Sequence, residues 1–234
     1  MQRDITPPSA TGLLREAEAA FEFPRLAFRL PGLLQGPRGD GGTVLVLPGY
    51  GAGDASTLTL RGYLRWLGHR PVGWELGTNR GDVPALLPEV VERLRACHRD
   101  AGEPISLVGW SLGGYLAREA ARDEPELVRQ VITLGSPVVG GPKYTTVGAL
   151  YARQGVDLDE VEAEVDARYD TPLQRPVTAI YSKRDGVVAW QACIDERSPR
   201  VEHVEVNATH VGLGFSADVF SVVAERLASP PTAD

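Results

Sequence analysis

The chain is expected to fold as an α/β protein, a mostly parallel central sheet flanked by helices, and three features point there. Short, continuous apolar runs recur at residues 43–47, 105–110 and 129–134, as strands buried on both faces require. Helical patterns of 13 and 18 residues, at 55–67 and 84–101, separate the early runs. The run at 43–47 also ends at Pro48-Gly49, where a connecting loop must begin.

In chain order, Leu13, Leu14, Ala17, Ala20 and Phe21 recur at helical spacing, which predicts an amphipathic helix docked on the domain. The run at 43–47 stops at Pro48-Gly49, and the helix over 55–67 has Asp54 as its expected N-cap. A weaker strand at 71–76 precedes the helix at 84–101, which starts from Asp82 with Pro84 in the first turn, where a missing N–H costs nothing. Strands at 105–110, 129–134, 176–181 and 201–206 follow, and 217–228 makes a terminal helix. Only 1–10 and 229–234 read as loose tails, so residues 1–234 are expected to form one domain. One stretch, 140–174, breaks the alternation. Within it Leu158, Val161, Val165 and Tyr169 share a helical face opposite a row of Asp and Glu, and a connection of that length is expected to be a short helical cap or a solvated surface helix.

The chemistry is concentrated where the apolar run at 105–110 drives into Gly109-Trp110-Ser111-Leu112-Gly113-Gly114 and helix-forming residues follow. A Gly-x-Ser-x-Gly between a buried strand and a helix is a nucleophile elbow: the serine sits on a strained turn, and side chains at the flanking glycines would collide with the neighbouring strand and helix. Outside such a setting Ser111 would be an ordinary loop residue or N-cap. A serine hydroxyl is a poor nucleophile until a base takes its proton, and the base needs a partner to fix its tautomer. In folds that build this elbow, the acid and then the histidine follow the serine on loops after later strands.

His210 alone follows Ser111 in a loop-like setting, Asn207-Ala208-Thr209-His210-Val211-Gly212, just past the last strand. His203 lies inside that strand and reads as structural, while His69 and His98 precede the elbow at helix ends. For the acid, Asp185 stands just beyond a strand, with Gly186 allowing the turn that aims it back; Asp170 and Asp195 compete with it. The oxyanion of a tetrahedral intermediate needs two N–H donors. The amide of Leu112, at a helix N-terminus, is one, and the backbone amide of Tyr50 in Pro48-Gly49-Tyr50-Gly51 is the other.

That glycine-rich loop is no dinucleotide cradle, because Asp54 stands where the third glycine belongs, and no Gly-Lys-Ser/Thr follows. The turn at 76–81 is ascribed to Asn79, and Trp66, Trp74, Trp110 and Trp190 to core or pocket wall. Four histidines without paired spacing give no expectation of a metal, and no cofactor is expected. Cys97 and Cys193 stand far apart and read as small buried hydrophobes. A net charge of −7, with 24 Lys and Arg scattered among 31 acids, argues against nucleic acid. The first eight residues lack the apolar core of a signal peptide and no segment approaches a membrane span, so the expectation is cytoplasmic, with no stable membrane insertion.

Taken together, Leu47-Pro48-Gly49-Tyr50-Gly51, the elbow, Leu134-Gly135-Ser136-Pro137, Ser182-Lys183-Arg184-Asp185-Gly186 and His210 resemble the serine esterases and lipases of the α/β-hydrolase family, especially small lipase-like members, over residues 43–228. The resemblance implies a mostly parallel eight-stranded sheet, cofactor-free hydrolysis of carboxylic esters, and a cap over the acyl pocket. The chain departs at Pro48, where many members carry a histidine that shapes the oxyanion loop. The shortness of the cap points to small-molecule esters of short to medium acyl chain. An acyltransferase or thioesterase would use the same three side chains, and a catalytically silent binding protein of this fold would lack part of the set.

Overall fold

The computed structural model describes residues 5–229. Six strands, β1 (Thr43–Leu47), β2 (Arg70–Gly73), β3 (Ile105–Trp110), β4 (Val128–Leu134), β5 (Val177–Tyr181) and β6 (Val201–Glu205), form one sheet in the order β2-β1-β3-β4-β5-β6, with every pairing parallel. The helices are α1 (Ala10–Arg15), α2 (Glu22–Leu33), α3 (Leu58–Trp66), α4 (Val83–Ala101), α5 (Leu112–Asp123), α6 (Gly148–Arg153), α7 (Leu158–Tyr169), α8 (His210–Leu213) and α9 (Ala217–Ala228). The sheet has six strands among the described residues, not the eight that the resemblance implied. What precedes β1 is helical, and α2 packs beside α9 instead of extending the sheet.

Alternate residues of each strand feed two cores. Val44, Val46, Val108, Ile132 and Ile180 pack with Leu64 of α3 and Phe220 and Val223 of α9. Leu45, Leu47, Leu107, Val131 and Val177 pack on the other face with Leu94 of α4 and Leu116 and Ala117 of α5. Both faces are therefore apolar, which is why the strands read as unbroken hydrophobic runs.

The chain leaves β1 toward β2 on one side, while β3 lies on its other side. Loops after neighbouring strands that run off in opposite directions leave a crevice at the carboxyl ends, the usual ligand position in such sheets. Here it lies between Pro48-Gly49-Tyr50 after β1 and Ser111 after β3.

Several expectations need correction. Asp54 does not cap the helix after it, which begins as a 3-10 turn, Asp54–Thr57, before α3. Its carboxylate instead accepts the amides of Trp74 (3.1 Å) and Glu75 (3.1 Å), fastening the end of β2. The stripe predicted to dock the amino-terminal helix faces outward: Leu14 is 77% and Phe21 73% exposed, and Leu13, Ala17 and Ala20 are exposed too. Ala19, Glu22, Leu26 and Leu33 face inward instead. Of the expected tails, 1–4 and 230–234 lie outside the described residues, while Ile5 packs against the apolar groups around Tyr144 and Val138. Trp74 is core, but Trp66 is exposed, with its indole N–H donated to the Leu34 carbonyl (3.2 Å), and Trp190 stacks on Tyr181 under Lys183. Cys97 and Cys193 are buried and unbridged.

Arg118 of α5 and Asp195, both buried, form an ion pair that ties the helix after Ser111 to the β5–β6 connection. Burial opposes the Asp195 charge, yet Arg118 and the Ser198 amide outweigh it and hold the carboxyl well below the usual range. Asp195 Oδ1 also accepts the amides of Arg197 (2.9 Å) and Ser198 (3.0 Å). Removing one member of such a pair leaves the other charged in a dry site. Arg118→Ala is expected to lower the unfolding free energy by about 3–5 kcal/mol in urea titrations; a loss below about 1 kcal/mol, typical of a solvent-exposed pair, would show that the pair is not buried in solution.

Candidate active site

Ser111 joins β3 to α5 at φ 55° and ψ −123°. Only Glu75 shares a positive φ among the non-glycine described residues, and such a conformation costs about 1–3 kcal/mol. The turn exists because its surroundings lack side chains. A Cβ on Gly109 would strike the backbone of Gly113 and Gly114, and one on Gly113 the carbonyls of Leu47 and Pro48. Ser111 stands at the N-cap position of α5, yet its hydroxyl makes no capping hydrogen bond.

His210 opens α8, whose N-cap Thr209 accepts the Gly212 amide (3.1 Å). The imidazole is buried, with Nδ1 2.7 Å from Asp185 Oδ2. Asp185 Oδ1 is fixed in turn by the amides of Val187 (2.8 Å) and Val188 (2.7 Å). Trp110 donates its indole N–H to the His210 carbonyl (3.2 Å), so the residue before the elbow serine holds the histidine backbone. Burial works against the charged imidazole, but Asp185, by charge and hydrogen bond, and the charge of Glu16 outweigh it and raise the pKa above the ordinary 6.5. His203 is different. Burial lowers its pKa, and its Nε2 accepts the Asp195 amide (3.0 Å), as a neutral structural ring does.

Tyr50, Ser111, Leu112 and His210 line one cavity of about 1190 Å³, and Asp185 backs His210. The five residues singled out in the sequence thus come together, though no hydrogen bond joins Ser111 to His210. Such contacts are commonly loose without substrate and tighten with it. The backbone N–H groups of Tyr50 and Leu112 have no acceptor among the described residues. Of the competing acids, Asp195 is spent on Arg118 and Asp170 pairs with Arg197 near the surface. No group of three or more His, Cys, Asp or Glu able to hold a metal stands together among the described residues.

The loop carrying Tyr50 keeps its shape without a histidine at Pro48. The buried Asn79 side chain donates to the Pro48 carbonyl (3.0 Å) and accepts the Gly81 amide (3.1 Å). Its backbone exchanges two further bonds with the same loop, Gly51 N–H to Asn79 O and Asn79 N–H to Ala52 O, each 2.8 Å. Asn79 therefore does more than hold its own turn.

The stretch between β4 and β5 lies over this region. Tyr151 of α6 packs its ring 5.8 Å from that of Tyr50, and Pro142, Val161 and Val165 join the cavity wall. Thr145 bridges to Val188, and Thr146 N–H donates to the Val187 carbonyl (2.8 Å), next to Asp185. Along α7, Asp159, Glu160 and Glu164 are exposed while Glu162 and Asp166 are half-buried, and Glu162 and Asp159 pair Lys143 (2.5 Å each).

One participant left no trace in the sequence reading. Glu16, at the start of the 3-10 segment Glu16–Phe21, accepts three backbone amides: Gly186 (2.8 Å) and His210 (3.0 Å) on Oε1, Val211 (2.8 Å) on Oε2. Gly186, expected to aim Asp185 by a permissive φ, has no positive φ; glycine is needed because a Cβ there would meet the Gly12 carbonyl of the same arm.

No family model and no curated protein matches the sequence. Solved structures do: the chain has the α/β-hydrolase fold. It is similar to the Bacillus licheniformis lipase BlEst2 (TM-score 0.66, 14% identity, 82% of this chain and 94% of that one). It is also similar to a structure from work on LipS and LipT, two metagenome-derived lipolytic enzymes (0.63, 16%, 81% and 93%), and to a Paleococcus ferrophilus monoacylglycerol lipase (0.61, 15%, 83% and 96%). No described helix is long and apolar enough to cross a membrane.

The raised His210 pKa has a sign that can be checked. A histidine whose folded pKa lies above its unfolded value contributes stability that is full below the unfolded value and is lost as pH rises through the folded one. An NMR titration of the imidazole is expected to find its midpoint above 6.5, and Asp185→Asn to bring it down; a midpoint below 6.5 in the unaltered chain would mean that burial, not the carboxylates, dominates.

Proposed function

We propose that the protein is a serine hydrolase of carboxylic esters, working through Ser111, His210 and Asp185 by way of an acyl-enzyme. The observation that carries this reading is the Asp185–His210 hydrogen bond (2.7 Å) standing behind the cavity that Ser111 lines at the head of its strained turn. In the proposed reaction His210 takes the proton of Ser111 as the hydroxyl oxygen attacks the ester carbonyl, and the amides of Tyr50 and Leu112 receive the oxyanion. His210 then gives the proton to the departing alcohol, and water repeats the cycle on the acyl-enzyme. Asp185 holds the imidazole in the tautomer whose Nε2 is free to accept, and stabilises the imidazolium. The proton acceptor is the neutral ring, so activity should rise with pH through the elevated His210 pKa.

The same reading makes residues 140–174 a cap. Support comes from the apolar side chains this stretch adds to the cavity and from its hydrogen bonds to the loop after Asp185. Apolar walls favour an uncharged acyl group. Short- to medium-chain esters are the proposed substrates, free in solution, in a soluble enzyme of the cytoplasm that needs no cofactor.

Ser111→Ala is expected to leave no ester turnover above background and to lose labelling by a fluorophosphonate, and full turnover in that variant would refute the nucleophile assignment. Asp185→Asn should cut kcat by up to about ten-thousand-fold. A series of chromogenic esters of increasing acyl length tests the substrate class: kcat/KM should peak within the short-to-medium range, whereas a profile still climbing for long chains refutes that part of the proposal.

A further inference from the structure

Both loops that bear on the imidazole are reached by the arm ahead of β1. Asp185 and His210 lie on segments that follow different strands, β5 and β6, and sheet hydrogen bonds stop short of both. One side chain spans the gap. Glu16 Oε1 accepts the amide of Gly186, the neighbour of Asp185, and the amide of His210 itself, while Oε2 accepts Val211. The bonds from Gly186 and Val211, 2.8 Å each, have the length of charge-assisted hydrogen bonds, and that from His210 is 3.0 Å.

We propose that Glu16 is a positioning residue: its carboxylate clamps the Asp185 loop to the start of α8 and so keeps the imidazole in register with both Asp185 and Ser111. The proposal rests on the hydrolase reading above. Three features argue for a built contact. Gly186 admits the arm only because it lacks a Cβ, so the two backbones are fitted to each other. Among the described residues Gly186, His210 and Val211 have no acceptor for their amides but this carboxylate, so its loss leaves the part-buried amides of Gly186 and His210 without a partner. Past the clamp the arm is held further by the Arg184–Glu18 ion pair and by Phe23 against Phe215 (ring centroids 4.4 Å).

Charge enters as well. The carboxylates acting on His210 are Asp185 and Glu16. Glu22, buried beside Gly212, answers to Arg25, Asp218 and Arg184 instead, and Arg184 on the Asp185 loop is taken up by Glu18. A neutral residue at position 16 should therefore both loosen the imidazole and let its pKa fall.

The test compares Glu16→Gln, Glu16→Asp and, as a charge-matched control on the exposed face of α4, Glu89→Gln. Glu16→Gln is expected to lower kcat by roughly ten- to a hundred-fold, the scale of a misplacement of about 1 Å, with KM nearly unchanged, and to move the acid limb of kcat/KM to lower pH. Glu16→Asp, charged but one methylene shorter, should keep the acid limb and lose kcat. Glu89→Gln should change neither. Unaltered kcat and acid limb in folded Glu16→Gln overturn the clamp, as does an equal effect in Glu89→Gln. Two readouts need no turnover. The NMR midpoint of His210 should drop in Glu16→Gln, and in the unaltered chain the amides of Gly186, His210 and Val211 should exchange slowly and together. Fast exchange of these three refutes the proposal even if neither Glu16 variant folds. A wild-type protein that turns over no ester, yet shows the protected amides and the His210 shift, would instead refute the hydrolase reading and leave the clamp in place.

Discussion

The site depends on a backbone constraint, Ser111 held at φ 55° between β3 and α5. The strain cannot relax, because α5 is pinned at both ends of its contact. Gly109 and Gly113 let the helix sit directly against β3 and the end of β1, and Arg118 one turn further on is buried with Asp195. Rotating Ser111 out of the left-handed region would have to move a helix whose inner face is packed into the core through Leu116, Ala117 and Ala120. A few kcal/mol of local strain is small against that packing. The result is a hydroxyl not spent on capping, at the end of a helix whose dipole favours negative charge nearby.

Around this fixed point the polar groups are arranged by residues far apart in the chain. The Tyr50 loop is shaped by Asn79, the imidazole by Asp185, Trp110 and Glu16, and Asp185 by its own following amides. Each is a hydrogen bond between buried or half-buried groups, where an unpaired partner costs more than the bond itself contributes. Such a network is stable in one arrangement and poor in intermediates.

How much of this could be read in the sequence follows from the range of the interactions. The strands at 43–47, 105–110 and 129–134 were legible because two-sided burial writes an unbroken apolar run, and the ends of the helix at 217–228 agree to the residue. The elbow was legible for the same reason: its steric demands fall on residues within two positions of Ser111. Asp54 misled, since a carboxylate before a helical pattern looks like an N-cap, whereas its partners are amides 20 and 21 residues on. The 3-10 start of that helix leaves no cap for it to make. Glu16 left no signal at all, because its contacts lie 170 to 195 residues away and backbone amides have no sequence identity.

The amino-terminal arm shows why apolar periodicity alone placed it wrongly. Helix α2 is held in the usual way, with Leu26 and Leu33 sunk into the core beside Phe220 and Leu227. The segment before it is held by charge: Glu16 on three amides, Glu18 on Arg184, and Ser9 capping α1 through the Gly12 amide (3.3 Å). With the inward positions taken by carboxylates and Ala19, the larger apolar side chains of the same turns, Leu13, Leu14 and Phe21, are left facing outward. A 3.6-residue period reports that a helix has two faces, but not which one the fold will use. Here the carboxylate contacts to the loops of Asp185 and His210 fix the rotation of the arm, and the hydrophobic stripe follows from it.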